Sequence, residues 1–416
     1  MHVQSVLIVE DSPMVLKIIK HLAAKTLNFK LVYATTRAEA LTHLAQEVDW
    51  LAAIVDLNLP DAPDGELVDD CLEQGIPSIV LTGSVNKEKR EALTKKGIVD
   101  YVLKEGRFSY LYAVNLVNRL SRNRFIKVLV AEDSKMTRRY MVELLKRHLF
   151  EVVEAEDGEQ ALQKILSDNQ IKLLITDNNM PKMDGFDLVH QLRHKYNNHD
   201  LVAIGLSSAE DKYLSAKFIK NGANDFLYKP FSHEEFYCRV MQGVESMERL
   251  ESMKKIAYSD ALTSIGNRRY FIETSREELK NCTEQNLPAA LALINVDHFK
   301  DINEDYGHDV GDEVLVHIAK MMAATFDRFI LARTGGEEFC VLFPGLTGDR
   351  ASQLLEVFRS QVEDGYAQTD AGSVSMTISI GVAQAPNLSL ESLMKNAGSA
   401  LYRAKVAGRN TVIISE

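Results

Sequence analysis

The chain has 416 residues, 46% hydrophobic and 26% charged, which excludes both a single small domain and a largely disordered protein. A formal net charge of −11 excludes general nucleic-acid binding, which depends on Lys and Arg neutralising phosphates. No apolar run reaches the length of a membrane span and no signal-peptide pattern precedes Val6, so a cytoplasmic location is expected, with Cys71, Cys238, Cys282 and Cys340 reduced and buried.

The first predicted strand, Val6–Val9, runs into Glu10-Asp11, and the surrounding VLIVEDSPM returns as VLVAEDSKM at 128–136. Asp56 in AAIVDLNLPD is matched by Asp177 in LLITDNNMPKMDG, and Lys104 in DYVLK by Lys229 in DFLYK. Three landmarks recurring in order at near-equal spacing indicate a duplicated domain. In the second copy, strands at Val128–Ala131, Leu173–Thr176 and Val202–Leu206 alternate with helices at Met136–His148 and Glu159–Leu166. That alternation predicts a parallel sheet covered on both faces, with its chemistry at the carboxyl ends of the strands.

Glu10, Asp11 and Asp56 fall at such ends, as do Glu132, Asp133 and Asp177. Three converging carboxylates require a cation, and a hard ion such as Mg²⁺ suits oxygen ligands. Lys104 or Lys229 would pair with an incoming phosphoryl group, and the hydroxyl of Thr82 or Ser207 would bond to it.

Both segments resemble receiver domains of two-component signalling, implying flavodoxin-like, doubly wound α/β domains at residues 1–122 and 126–245. The resemblance implies that Asp56 and Asp177 accept phosphate from a sensor histidine kinase. It implies Mg²⁺ held by the acidic pair, the acceptor and a backbone carbonyl at Asn58 or Asn179. Tyr101 and Phe226 occupy the place of the family's switch aromatic. The second copy keeps Lys229-Pro230 and the MPKMDG loop, whereas the first has Glu105 where proline is usual and the altered loop LPDAPDG. Asp177 is favoured as the activating site because its domain adjoins the output.

Residues 232–257 contain no proline, and Phe236, Val240, Val244, Met247, Leu250 and Met253 recur every three or four positions. The stripe predicts a long connecting helix that pairs with its copy in a homodimer.

Beyond residue 258 the character changes. A strand is predicted at Ala289–Val296, and the apolar runs Phe329–Ala332 and Phe339–Phe343 flank Gly335-Gly336-Glu337-Glu338. The pattern is a hairpin whose glycines permit positive φ and close approach of phosphates. Two glutamates at one turn point to cation binding or proton chemistry.

Residues 258–416 resemble the GGDEF family of diguanylate cyclases through several separated motifs. These are DALTSIGNRR from Asp260, DHFK from Asp297 with Asn303, Gly307-His308 through Gly311-Asp312, GGEEF, and Tyr402, Lys405 and Arg409-Asn410 near the end. The resemblance implies an α+β nucleotidyl-cyclase-like fold and condensation of two GTP into cyclic di-GMP across two facing subunits. By position, Asn303 and Asp312 would read guanine, and Lys405 and Arg409 would hold the β- and γ-phosphates. Phe299, Lys300 and Arg333 are also assigned to the substrate. Asn295, Val296, Glu337 and Glu338 form the Mg²⁺ or Mn²⁺ set, with Glu338 a further candidate for deprotonating the attacking hydroxyl. The alternative is a degenerate domain that holds GTP and signals through partner contact.

Two departures from the family pattern stand out. Asn295 replaces the usual Asp, and at an effective dielectric near 20 a close charge pair is worth about 4 kcal/mol, so weaker metal binding or slower turnover is expected. Phe326 and Phe329 occupy the register of the family's Arg-x-x-Asp product site, so little product inhibition is expected through that route.

Overall fold

The computed structural model describes residues 4–84, 87–208, 214–384 and 389–415, in two compact units, Met1–Glu248 and Arg249–Glu416. In the first unit, the first receiver runs β1 (Ser5–Val9), α1 (Pro13–Thr26), β2 (Lys30–Ala34), α2 (Arg37–Leu44), β3 (Trp50–Asp56), α3 (Glu66–Glu73), β4 (Ser78–Thr82), α4 (Lys87–Lys96), β5 (Asp100–Leu103) and α5 (Arg107–Asn123). The series repeats as β6 (Lys127–Ala131), α6 (Lys135–Arg147), β7 (Glu151–Ala155), α7 (Gly158–Ser167), β8 (Ile171–Asp177), α8 (Gly185–Arg193), β9 (Val202–Ser208), α9 (Leu214–Lys220), β10 (Asp225–Lys229) and α10 (His233–Tyr258).

Both sheets are parallel, ordered β2-β1-β3-β4-β5 and β7-β6-β8-β9-β10. The repeat in sequence is therefore a repeat of fold. Reversal of strand order at β1/β3 and β6/β8 opens a crevice at the carboxyl ends. Central strands are covered on both faces, which is why Val6 to Val9 and Val128 to Ala131 read as unbroken apolar runs. Ser134, Asp157 and Asp184 cap α6, α7 and α8, each side chain accepting from an amide three residues on.

One apolar cluster spans the two receivers, joining Val114, Val117 and Leu120 of α5 to Met141 and Leu145 of α6 and to the buried face of α10. Ion pairs frame it. Arg90 Nε lies 2.8 Å from Glu234 Oε1, and Arg119 Nη1 donates to Glu248 Oε1 at 2.9 Å. Arg147 Nη1 donates to the Thr94 carbonyl at 3.1 Å. Phe236, Val240, Val244 and Met247 are each at most 4% exposed inside this unit. Most of the stripe expected to pair with a second copy thus closes the receiver pair instead, whereas Met253 lies beyond it at 64% exposure. Cys238, on the same helix, is exposed, contrary to the expected burial. The other three thiols are buried and free, and burial pushes Cys71 up to about 12. Among the described residues, no helix is long and apolar enough to cross a membrane.

The second unit contains β11 (Gly266–Asn267), α11 (Arg268–Glu284), β12 (Ala289–Val296), α12 (Phe299–Tyr306), α13 (His308–Thr325), β13 (Ile330–Gly335), β14 (Glu338–Pro344) and α14 (Gly348–Asp364). It continues with β15 (Tyr366–Thr369), β16 (Gly372–Ser375), β17 (Ile378–Gln384), α15 (Leu390–Val406) and β18 (Val412–Ile414). The main sheet is β11-β13-β14-β12-β17-β18, with β12 antiparallel to both neighbours. Val314 and Ile318 of α13 and Phe358 of α14 cover one face, and Phe271 of α11 and Leu393 and Leu401 of α15 cover the other. Phe326 packs edge-on against Phe343 and Phe358, and Phe329 against Phe343. The two aromatics at the product-site register therefore serve the core.

Between the receivers, His148 stacks on Tyr237 with ring centroids 3.5 Å apart, and both its ring nitrogens are buried without a hydrogen-bond partner among the described residues. Burial holds it neutral, well below the ordinary histidine value of 6.5, with smaller contributions from His233 and Arg147. The unfolded chain binds a proton here that the folded state refuses. The stability this site contributes is full above pH 6.5 and is lost as pH falls through it. Denaturation of the parent and of His148→Phe from pH 8 to pH 5 is expected to show a steeper acid loss in the parent. Parallel curves would contradict this.

Candidate functional site

Each receiver crevice holds a lysine between two carboxylates. Lys104 Nζ lies 2.7 Å from Glu10 Oε2 and 2.7 Å from Asp56 Oδ2. Lys229 Nζ lies 2.5 Å from Glu132 Oε2 and 2.7 Å from Asp177 Oδ1. Asp11 and Asp133 complete each triad from exposed positions, with ligand oxygens within 4.8 Å of one another. Burial raises the pKa of Glu10, Asp56 and Glu132. Burial alone would lower Lys104 and Lys229, but the flanking carboxylates outweigh it and raise both. One lysine against three carboxylates leaves each crevice net anionic, a donor set that fits a hard divalent cation.

The other expected receiver residues surround these triads. The amides of Asn58 and Asn179 donate to Asp56 Oδ1 at 3.3 Å and to Asp177 Oδ2 at 3.2 Å. Thr82 Oγ1 donates to the Ser84 carbonyl at 3.0 Å, while Ser207 Oγ is buried with no partner among the described residues. Phe226 is buried against Phe218 and Tyr228. Tyr101 faces the second receiver instead. Its phenol is raised first by burial and then by the Glu234 carboxylate that also pairs with Arg90.

In the second unit, the expected residues gather at one end of β12. Asn295 is the cross-strand partner of Glu338 on β14 and of Ser379 on β17. The Val296 amide donates to the Glu337 carbonyl at 3.2 Å, and Thr334 Oγ1 donates to Glu338 Oε1 at 2.9 Å. The turn is a hairpin with Gly336 at φ +43°, as its glycines predict. Asn303 on α12 and Asp312 on α13 flank the Gly307 junction. Asn303 Oδ1 is buried with no partner among the described residues, at 1.9 Å from where a Cβ on Gly311 would stand, so any side chain there would displace it. Phe299 is half-buried, while Lys300 is solvent-exposed and pairs with Glu304 at 3.1 Å. Lys405 lies in the last turn of α15, and Arg409 follows in the adjoining loop.

Arg333 has a different setting from the one expected. Its Nη1 lies 3.0 Å from Asp260 Oδ1, and its Nε donates to the Gly336 carbonyl at 2.8 Å, so it braces the turn from within. Asp260 in turn accepts from the Thr263 amide and hydroxyl. These bonds overcome burial and lower its pKa. No local pattern assigns Asp260 a role, because its partner lies 73 residues away. Asp297 was also missed as a hub. It accepts from Ser379 Oγ at 2.6 Å, Thr377 Oγ1 at 2.9 Å and the Asn410 amide at 3.0 Å. The alternating hydroxyls at 377 and 379, at the start of the strand next to β12, were the available signal.

The family model for response regulator receiver domains matches residues 6–114 and 128–253, more than half of the chain. The model for the GGDEF domain of diguanylate cyclases matches residues 257–411. Response regulator PleD of Caulobacter vibrioides is 30% identical over 300 residues, 69% of this chain and 65% of that protein, so this chain spans just under two thirds of that relative. The probable diguanylate cyclase DgcT of Escherichia coli is 36% identical over 186 residues, 44% of this chain and 39% of DgcT. A solved two-component system response regulator/GGDEF domain protein aligns with TM-score 0.55 at 40% identity, over 59% of this chain and 99% of that one.

The acidic triads predict that Mg²⁺ raises the melting temperature of the receiver unit. The rise is expected to disappear in the Glu10→Gln, Glu132→Gln double variant. An equal rise in parent and variant would contradict metal binding at these crevices.

Proposed function

The chain belongs to the response regulator receiver family, with a GGDEF domain behind its two receivers, and from that premise we propose that it is a phosphorylation-regulated diguanylate cyclase. The substrate is GTP, and two facing copies condense two molecules into cyclic di-GMP and two pyrophosphates. The observation that carries this reading is the buried Asn303 Oδ1 beside Gly311, which has no hydrogen-bond partner among the described residues. A buried acceptor without a donor costs free energy unless a ligand supplies one. The guanine edge offers N–H donors suited to it, and Asp312 on the next helix is placed to accept another.

The remaining residues fit phosphoryl transfer. Lys405 and Arg409 offset the charge of the β- and γ-phosphates, and the amides opening α12 face the same strand end. Bound Mg²⁺ or Mn²⁺ would neutralise charge developing on the α-phosphate and the leaving pyrophosphate. Glu337, Glu338, the Asn295 amide oxygen and the Val296 carbonyl are the groups that would hold it. Glu338, cross-strand from Asn295, is also placed to take the proton as the 3′-oxygen bonds to phosphorus and the bond to pyrophosphate breaks.

For regulation, Asp56 and Asp177 accept phosphate from a sensor histidine kinase in the cytoplasm. The contact of Tyr101 and Arg90 with Glu234, in the first turn of α10, supports a route from the first receiver into that helix. A second reading, a GTP-binding module without turnover, is favoured by Asn295, which leaves the metal set one charge short.

The test is product formation from GTP with Mg²⁺ or Mn²⁺, with and without acetyl phosphate, in the parent and in Glu338→Ala. Cyclic di-GMP is expected from the parent, and the variant should lose roughly 10²-fold or more in rate. No product from the parent under any of these conditions would replace the cyclase with the binding module.

A further inference from the structure

Arg409 and Asn410 follow α15 in left-handed backbone, at φ 65° and 44°. Non-glycine residues keep that conformation only where their surroundings enforce it. Here two sets of contacts do so. On the sheet side, the Asn410 amide donates to Asp297 Oδ2 at 3.0 Å. Asp297 is 3% exposed and is itself fixed by Ser379 on β17 and by Thr377 just before that strand. On the helix side, Asn410 Oδ1 accepts from Arg359 Nη1 at 2.8 Å, and Asn410 Nδ2 donates to Glu363 Oε1 at 2.8 Å. Arg359 is held in turn by Glu356 at 2.8 Å and Glu363 at 2.5 Å, with its side chain 12% exposed.

Every hydrogen-bonding group of Asn410 except its carbonyl is thereby engaged within the protein, while the neighbouring Arg409 side chain is left exposed. Such an arrangement fixes where an arginine starts without consuming its donors. A guanidinium whose Cα is fixed loses less freedom on meeting a phosphate, and misplacement by an ångström is costly for charge-assisted hydrogen bonds.

We infer that Asn410, clamped between Asp297 and the Arg359–Glu363 pair, is a positioning residue that aims Arg409 at the terminal phosphates. The clamp thereby sets how the site tells a nucleoside triphosphate from a monophosphate. The inference rests on the reading of GTP as substrate. It assigns a functional role to α14, whose Arg359 and Glu363 belong to none of the motifs that mark the nucleotide site.

The test uses the full chain and its Asn410→Ala, Arg359→Ala and Arg359→Lys variants. Each is titrated with GTP and with GMP in EDTA, where no turnover competes, and each is then assayed for KM and kcat with metal. The alanine variants are expected to lose about tenfold in GTP affinity, equivalent to 1.4 kcal/mol, with GMP affinity unchanged. KM should rise more than kcat falls, and Arg359→Lys should recover part of the loss. Melting temperatures close to the parent's are required, and Arg359→Lys, which keeps a cation between Glu356 and Glu363, provides this control if an alanine variant is less stable. GTP and GMP affinities falling together, or neither falling, would overturn the clamp. A parent that binds GTP no more tightly than GMP would do the same. A parent that binds neither nucleotide would overturn the GTP reading itself, and the clamp with it.

Discussion

Carboxylates gathered at the ends of buried strands repel one another, and each domain of this chain offsets that repulsion differently. In the receivers, one lysine stands between two buried carboxylates, with a third at the rim, and the residual negative charge suits a divalent ion. In the output domain, the corresponding strand end carries an amide, Asn295, where a carboxylate would add a further negative charge. The buried carboxylate two residues on, Asp297, is surrounded by neutral donors and joins strand to loop. One strand end thus separates the amide proposed for the metal set from the group that holds the chain in place.

The receiver pair is a single packed body and not two beads on a string. Its shared apolar cluster includes the first half of α10, so the helix that leaves the unit is part of the core that joins the receivers. Helix α4 is held at two points, with Arg90 on Glu234 and the Thr94 carbonyl on Arg147. A displacement of α4 therefore acts on α6 and on the first turn of α10 together, because packed interfaces rearrange as units.

Much of this was legible in the sequence. The duplicated EDS and Lys landmarks gave the two parallel sheets, since continuous apolar runs and strand-end acids follow directly from burial on both faces. The Gly335-Gly336 turn and the strand Ala289–Val296 were equally plain. Less legible were the features that depend on distant partners. The stripe Phe236–Met247 has the same spacing whether it faces a second copy or the neighbouring receiver, and only the fold decides that it faces the receiver. The pairing of Arg333 with Asp260 has no local signal, because the two lie 73 residues apart. The clamp on Asn410 draws on Asp297 just past β12, on Ser379 of β17 and on α14, which no local pattern connects.

The account turns on whether a metal set short of one carboxylate still supports chemistry. The most direct measurement is the metal dependence of cyclic di-GMP formation in the parent and in Asn295→Asp. Product from both, with the variant reaching half-maximal rate at lower Mg²⁺, is the result the charge argument predicts. No product from the parent, with activity appearing only when the carboxylate is restored, would contradict the cyclase reading and leave the domain a holder of GTP.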